Sequence, residues 1–231
     1  IWGVDTDAHF QKAINRINEI SRIGCIIVCG DIANDGLVGT YTYADSAFRE
    51  IGVPTFWCPG NHDNLKNYYN IGVNSFCGFS GIHEIGGFRI ISLCSVTHDE
   101  DDPSQNQARG LIKDEDLALL DKTLSGSMMP CIVFLHHPSI EPGGWLSNKI
   151  LINREELNHV ISKHRQVKVV LYGHIHYYTR HQEGSTAYIS SPAIGFAFNN
   201  DLPKYKIATG EEGFVVLDIT ESEVRTELVR I

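Results

Sequence analysis

Short apolar runs, each ending on a turn that carries Asp, Asn or His, constrain this chain more tightly than any other feature. Gly24-Cys25-Ile26-Ile27-Val28-Cys29 is continuously apolar, as a strand buried on both faces would be, and leads into Gly30-Asp31. Phe56-Trp57-Cys58 leads into Gly60-Asn61-His62-Asp63, Phe134-Leu135 into His136-His137-Pro138, and Leu171-Tyr172 into Gly173-His174-Ile175-His176. Amphipathic helices separate the runs. From Asp7 to Ser21, Phe10, Ala13, Ile14, Ile17 and Ile20 share one helical face, and Thr6 or Asp5 can cap the start. A second helix is predicted from about Gly39 to Ile51, before a strand at Pro54–Cys58. Helix and strand alternating in this way call for a parallel sheet with crossover helices.

The middle of the chain reads differently. Gly81–Glu84 and Phe88–Ser95 flank Ile85-Gly86-Gly87, a hairpin signal. His98–Pro103 reads as an acidic, solvated surface loop. Leu117, Leu120 and Leu124 mark a helix with acidic residues in its first turn, where the helix dipole favours them. After strand Cys131–Leu135 and a long loop, Asn153 and Glu156 suggest a capping box for a helix bearing Leu157, Val160 and Ile161. Strand Val167–Leu171 follows, and then Ala187–Ser190, Gly213–Ile219 and Val224–Leu228 as antiparallel strands. With no repeat and no linker, residues 1–231 read as one domain of two stacked sheets.

Composition narrows the function classes. Nineteen basic against 28 acidic side chains leave a net charge of −9, which excludes a dedicated duplex-DNA binder with its basic stripe. Neither Cys25–Cys29 nor Cys131–Leu135 is long enough to span a bilayer, and no secretory apolar region is present. The expectation is a soluble, cytoplasmic protein. Six cysteines without a Cys-x-x-Cys pair read as reduced core thiols: Cys25, Cys29, Cys58, Cys77, Cys94 and Cys131.

In a parallel sheet the carboxyl ends of the strands share one edge, where ligands bind, so the four turns should converge. Asp31, Asn61, His136 and His174 stand 30, 75 and 38 residues apart along the chain. Their donors are hard or borderline ligands suited to Fe, Mn or Zn. Singly each turn is ordinary turn chemistry or packing; the ordered set is not.

This set resembles the calcineurin-like metallophosphoesterases, whose pattern is D-x-H, G-D, G-N-H-[DE], H and G-H-x-H. Within them it looks most like the bacterial class III cyclic nucleotide phosphodiesterases, and Gly3-Val4-Asp5-Thr6, Gly52-Val53-Pro54, Gly144-Trp145-Leu146 and Ser190-Ser191-Pro192-Ala193 extend the likeness along most of the chain. The resemblance implies a four-layer α-β-β-α sandwich of two mixed sheets around a dinuclear centre of divalent or trivalent ions. It also implies that Asp31 bridges the ions, that Asn61, His136 and His174 complete one site, and that His176 serves the other. A hydroxide between two ions about 3.5–4 Å apart would attack phosphorus, and His62 would contact phosphate and protonate the leaving oxygen. The implied substrate is a small phosphodiester such as a cyclic nucleotide. A pyrophosphatase, a nuclease or a non-catalytic scaffold of the same fold are the alternatives, and the likeness leaves room for a homodimer.

Two departures stand out. Asp7-Ala8-His9 has the letters of D-x-H but sits in a helical turn, so the chain reads as N-terminally incomplete, its first strand absent. After Asp31, Asn34-Asp35-Gly36 lacks the Arg of the phosphoprotein phosphatases, though Asn34 can still hydrogen-bond His62 and orient it. Trp145 either stacks on a nucleobase or anchors its loop, and His137 either faces phosphate or packs beside His136. His83, His98, His159, His164 and His181 are expected at the surface.

Overall fold

The computed structural model describes residues 1–72, 78–79, 81–96, 108–220 and 222–231. The expected acidic loop, His98 and Cys77 lie largely or wholly outside them. Helix α1 spans Thr6–Asn18 and is capped by Asp5, whose Oδ1 accepts from the Ala8 N–H at 3.0 Å. It stops short of Ser21 because the Glu19 and Ile20 N–H groups tighten onto the Arg16 and Ile17 carbonyls. Strand β1 is Ile26–Cys29, α2 Val38–Ile51, β2 Thr55–Cys58, α3 Leu65–Gly72 and β3 Gly78–Phe79. Then come β4 (Gly81–Ile85), β5 (Phe88–Ser92), α4 (Asp114–Ser125) and β6 (Cys131–Phe134). After a 3₁₀ turn at Gly144–Asn148 follow α5 (Arg154–Ser162), β7 (Val167–Tyr172), β8 (Thr179–Glu183), β9 (Thr186–Ser190), β10 (Gly213–Ile219) and β11 (Val224–Arg230).

Three sheets form among the described residues, where two were expected. β1-β2-β3 is wholly parallel, β4-β5-β6-β7-β9-β8 is mixed, and β10-β11 is a hairpin paired only with itself. The hairpin still packs Val215, Leu217, Ile219 and Val224 onto the large sheet, so burial rather than a shared ladder holds it. The expected antiparallel strand at Ala187–Ser190 is antiparallel to β8 but parallel to β7. Edge strand β8, Thr179-Arg180-His181-Gln182-Glu183, is largely exposed and has no apolar alternation to betray it. Helix α3 was likewise missed, although Asn64 Oδ1 caps it by accepting the Asn67 N–H at 2.8 Å.

Period-two alternation builds the core. Trp57 faces α2 and α3 with Tyr41, Phe48 and Tyr68, while Phe56 and Cys58 face the large sheet. In β6, Ile132 and Phe134 point between the sheets, and Val133 points to Leu120, Leu124, Leu157 and Ile161 of α4 and α5. The order is thus helices, sheet, sheet, helices. Among the described residues β1 is half-buried along its length and pairs with β2 on one side. The cysteines at positions 25, 29, 58, 94 and 131 are free thiols. Among the described residues no helix is long and apolar enough to cross a membrane.

Two of the supposed surface histidines are drawn inward. His83 lies against the Phe56 ring at 4.7 Å, and His164 is buried with Nε2 2.6 Å from Asp121 Oδ1. The expected capping box at Asn153 does not form. Its Oδ1 accepts the Ile112 N–H at 3.1 Å and its Nδ2 donates to the Ile112 carbonyl at 2.7 Å, stitching the α5 entry to the segment before α4. Asn153→Ala leaves both buried backbone groups of Ile112 unpaired. Urea unfolding should report a loss of about 2 kcal/mol, and an unchanged midpoint would contradict this.

Candidate metal centre

The carboxyl ends of β1, β2, β6 and β7 meet, and glycine makes the meeting possible. A Cβ on Gly60 would lie 2.2 Å from Asp31 Oδ1, and one on Gly173 2.5 Å from the Cys29 carbonyl. Gly30, at φ +85°, brings its Cα so near His136 that a Cβ would sit 2.6 Å from Nδ1. That Nδ1 lies 2.7 Å from the Cys29 carbonyl and donates to it, tying the large sheet to the end of β1. Asp31, His174 and His176 all adopt left-handed backbone, at φ 56°, 64° and 52°. Such strain is held only where the surroundings over-determine it, typically at functional sites.

Donor atoms crowd one point. His136 Nε2 is 2.9 Å from Asn61 Oδ1, 3.0 Å from His174 Nδ1 and 3.3 Å from Asp31 Oδ2. His174 Nε2 donates to the Ala108 carbonyl at 3.0 Å, which leaves Nδ1 with a lone pair. With His136 Nδ1 committed to Cys29, its Nε2 carries a lone pair when the ring is neutral and a proton when it is charged. An amide oxygen, a carboxylate and the His174 Nδ1 lone pair all face that one nitrogen, so either a proton or a cation must sit among them. The donor set fits a metal ion in that place.

The electrostatics agree. Burial alone would push the Asp31 carboxyl up, but His136, His62 and His174 outweigh it and hold it far below the usual carboxylate range. Burial depresses His136, yet the Asp31 carboxylate raises it above an ordinary imidazole: this position wants positive charge. Burial, with His136 and His137 nearby, drives His174 well down. His176 is brought down to about 4, chiefly by burial, with Asp31 opposing. Among the described residues its Nδ1 is buried without a hydrogen-bond partner, a donor suited to an ion.

Sequence reasoning missed the residue that braces these loops. Asp63 is buried; its Oδ2 accepts the Gly60 N–H at 2.7 Å, and its Oδ1 accepts the Ala33 N–H and the Tyr41 hydroxyl, each at 3.0 Å. It joins the loop after β1 to the loop after β2. The signal was its place closing the Gly60 turn, which alone looks like ordinary Asx chemistry. His137 packs beside His136 and His174, its Nδ1 2.9 Å from Ser95 Oγ. His62 is exposed; its main-chain N–H donates to Asp31 Oδ1 at 2.9 Å. Asn34 is exposed as well, and among the described residues no hydrogen bond joins it to His62. Asp7 is exposed in the first turn of α1, and His9 turns its Nδ1 to the Gly195 carbonyl at 2.9 Å. Trp145 is half-buried and set edge-on to Phe198 and Tyr205, each at 5.2 Å.

Comparison with known proteins follows the same line. The calcineurin-like phosphoesterase family model matches residues 3–178. A 3′,5′-cyclic-nucleotide phosphodiesterase of Nostoc sp. is 28% identical over 227 residues, covering 95% of this chain and 81% of that protein. A probable cyclic nucleotide phosphodiesterase of Xenorhabdus bovienii is 30% identical over 229 residues, covering 95% and 89%. In fold, a dimetal phosphatase from Danio rerio superposes with a TM-score of 0.63 at 16% identity, over 97% of this chain and 84% of that one.

Gly60→Ala tests the crowding directly, because its methyl group must displace the Asp31 carboxylate. Calorimetric titration with Mn²⁺ should show affinity lowered about 10–100-fold, as for loss of a ligand's support. Unchanged affinity would detach Asp31 from the ion.

Proposed function

The chain belongs to the calcineurin-like phosphoesterase family, and on that footing we propose that it is a metal-dependent phosphodiesterase whose substrate is a small phosphodiester, a cyclic nucleotide foremost. The observation that carries the reading is the convergence of Asp31, Asn61, His136 and His174 on one buried point, with donor atoms about 3 Å apart. In this reading Asn61, His136 and His174 hold one ion, His176 holds the other, and Asp31 serves both. Nitrogen and oxygen donors of this kind suit Fe, Mn or Zn. When bound, the ions supply an activated water and neutralise the charge that builds at phosphorus. A net charge of −9 does not oppose an anionic substrate, since bound cations set the local field.

The side chains divide the remaining work. His136 is held in one tautomer by Cys29, and His174 by Ala108, so both point a lone pair inward without rotational search. His62 has its main chain fixed to Asp31 while its ring stands exposed at the mouth. That ring is placed to contact phosphate and give a proton to the leaving oxygen. Asn34, with no bond to His62, is left to meet substrate directly. Asp35 instead closes the turn that leads into α2, accepting from the Leu37 N–H and the Thr40 hydroxyl at 3.0 Å each. A cytoplasmic setting belongs to the same reading, supported by the free thiols, which suit a reducing compartment.

Assays with Mn²⁺ on 3′,5′- and 2′,3′-cyclic AMP, beside chromogenic mono- and diesters, separate the possibilities. Turnover is expected on the diesters; monoester hydrolysis alone would refute the reading. His62→Ala should lower kcat about 10²–10⁴-fold with metal content unchanged. Metal lost along with activity would make His62 a ligand rather than an acid.

A further inference from the structure

Beside the metal histidines lies another buried histidine, held by a serine from a different segment. Ser95 is 0% exposed and His137 1%. The Ser95 hydroxyl oxygen meets two groups of His137, the main-chain N–H at 3.2 Å and ring Nδ1 at 2.9 Å. Such an oxygen has one hydrogen to give and two lone pairs. The main-chain N–H takes one lone pair. Were Nδ1 to donate as well, both would be filled, and the hydroxyl hydrogen would be buried with no acceptor among the described residues. Buried polar groups are seldom left so. The hydroxyl therefore donates to Nδ1, and the ring carries its hydrogen on Nε2.

The ring so fixed lies against two histidines of the centre. Its centroid is 4.4 Å from that of His174 and 4.9 Å from that of His136. Nitrogens of the three rings fall within 4.8 Å of one another, the spacing of a three-histidine ligand set. The hydrogen count excludes that role for His137, since Ser95 occupies Nδ1 and Nε2 carries the hydrogen. The segment before α4 closes the other side. A Cβ on Gly110 would lie 2.3 Å from His137 Nδ1 and 2.6 Å from the Ser95 carbonyl. Leu111 donates its N–H to that carbonyl at 3.1 Å, and the Gly110 carbonyl accepts the Ile152 N–H at 2.7 Å. Two residues before Gly110, the Ala108 carbonyl accepts from His174 Nε2. One short segment thus holds His174 directly and is tied to the serine that holds His137.

We propose that Ser95 is a positioning residue of the metal centre. It locks His137 in its Nε2–H form, as a rigid wall against which His136 and His174 keep their inward nitrogens on one point. The proposal rests on the metal-dependent reading and adds to it a residue that acts only through its neighbours. Outer contacts of this kind orient the ligand rings before an ion arrives, so that less freedom is lost on binding.

Two measurements test the lock without turnover. Histidine side chains of the full chain are labelled with ¹⁵N and read by two-bond ¹H–¹⁵N correlation, the His137 signal being the one lost in His137→Asn. Wild type should show the Nε2–H form at His137, unchanged when diamagnetic Zn²⁺ is added, and Ser95→Ala should show both tautomers in exchange. Calorimetric titration with Mn²⁺ should give an affinity about tenfold lower in Ser95→Ala, the low end for an outer contact. Ser95→Cys fills the same space with a weak donor and should lose affinity likewise, which separates the hydroxyl from its volume. An Nδ1–H form in the wild type overturns the proposal. Loss of the Nε2–H signal on adding Zn²⁺ does so too, by making His137 a ligand. So does wild-type Mn²⁺ affinity in either variant. A wild type that binds no Mn²⁺ refutes the metal-dependent reading and the proposal with it, whereas bound Mn²⁺ indifferent to Ser95 refutes the proposal alone.

Discussion

The hydrogen bond from His136 Nδ1 to the Cys29 carbonyl, at 2.7 Å, joins the six-stranded sheet to the three-stranded one where both end. Everything in the centre depends on that junction. It sets the ring angle of His136, chooses its tautomer, and brings the loop after β6 against the loop after β1. Glycine is obligatory around it, since a methyl on Gly30, Gly60 or Gly173 would collide with His136, Asp31 or the Cys29 carbonyl itself. The apolar layer of Phe56, Cys58, Ile132, Phe134 and Leu171 holds the sheets together behind it. The junction is where that layer gives way to chemistry.

Polar groups at such a junction must be satisfied or replaced by an ion. Asp63 answers for the backbone: it takes two main-chain N–H groups and the Tyr41 hydroxyl and leaves the loops no slack. Asp31, Asn61, His136 and His174 instead turn donor atoms on one another, a contact that a shared proton or ion would satisfy. Left-handed backbone at Asp31, His174 and His176 is part of the same compromise, since aiming these side chains at one point strains the turns that carry them.

Much of this was legible along the chain. The apolar runs before each motif became β1, β2, β6 and β7, and the leucines at 117, 120 and 124 lie on the buried face of α4. The hairpin turned at Gly86-Gly87, both at positive φ. What escaped had no apolar period to read. Strand β8 is polar because its side chains face water, and it is a strand only because β9 offers it a ladder. Asn153 looks like a helix cap, but Ile112, 41 residues away, competes for both its polar atoms and wins. Trp145 is an aromatic in a loop until Phe198 and Tyr205 are seen to hold its edges.

Sequence by itself therefore determined the fold class and which side chains stand at the strand ends, because hydrophobic period and turn glycine are local properties of the chain. It placed Asp31, Asn61, His136, His174 and His176 at strand ends, and parallel strands share an edge. Only the tertiary structure decided how they meet: which nitrogen of each histidine faces inward, that Asp63 braces the loops, and that Asn34 stands apart from His62. Those outcomes turn on distances of about 3 Å between residues tens of positions apart. No local pattern encodes such a distance, because it is set by how two sheets pack and not by either strand alone.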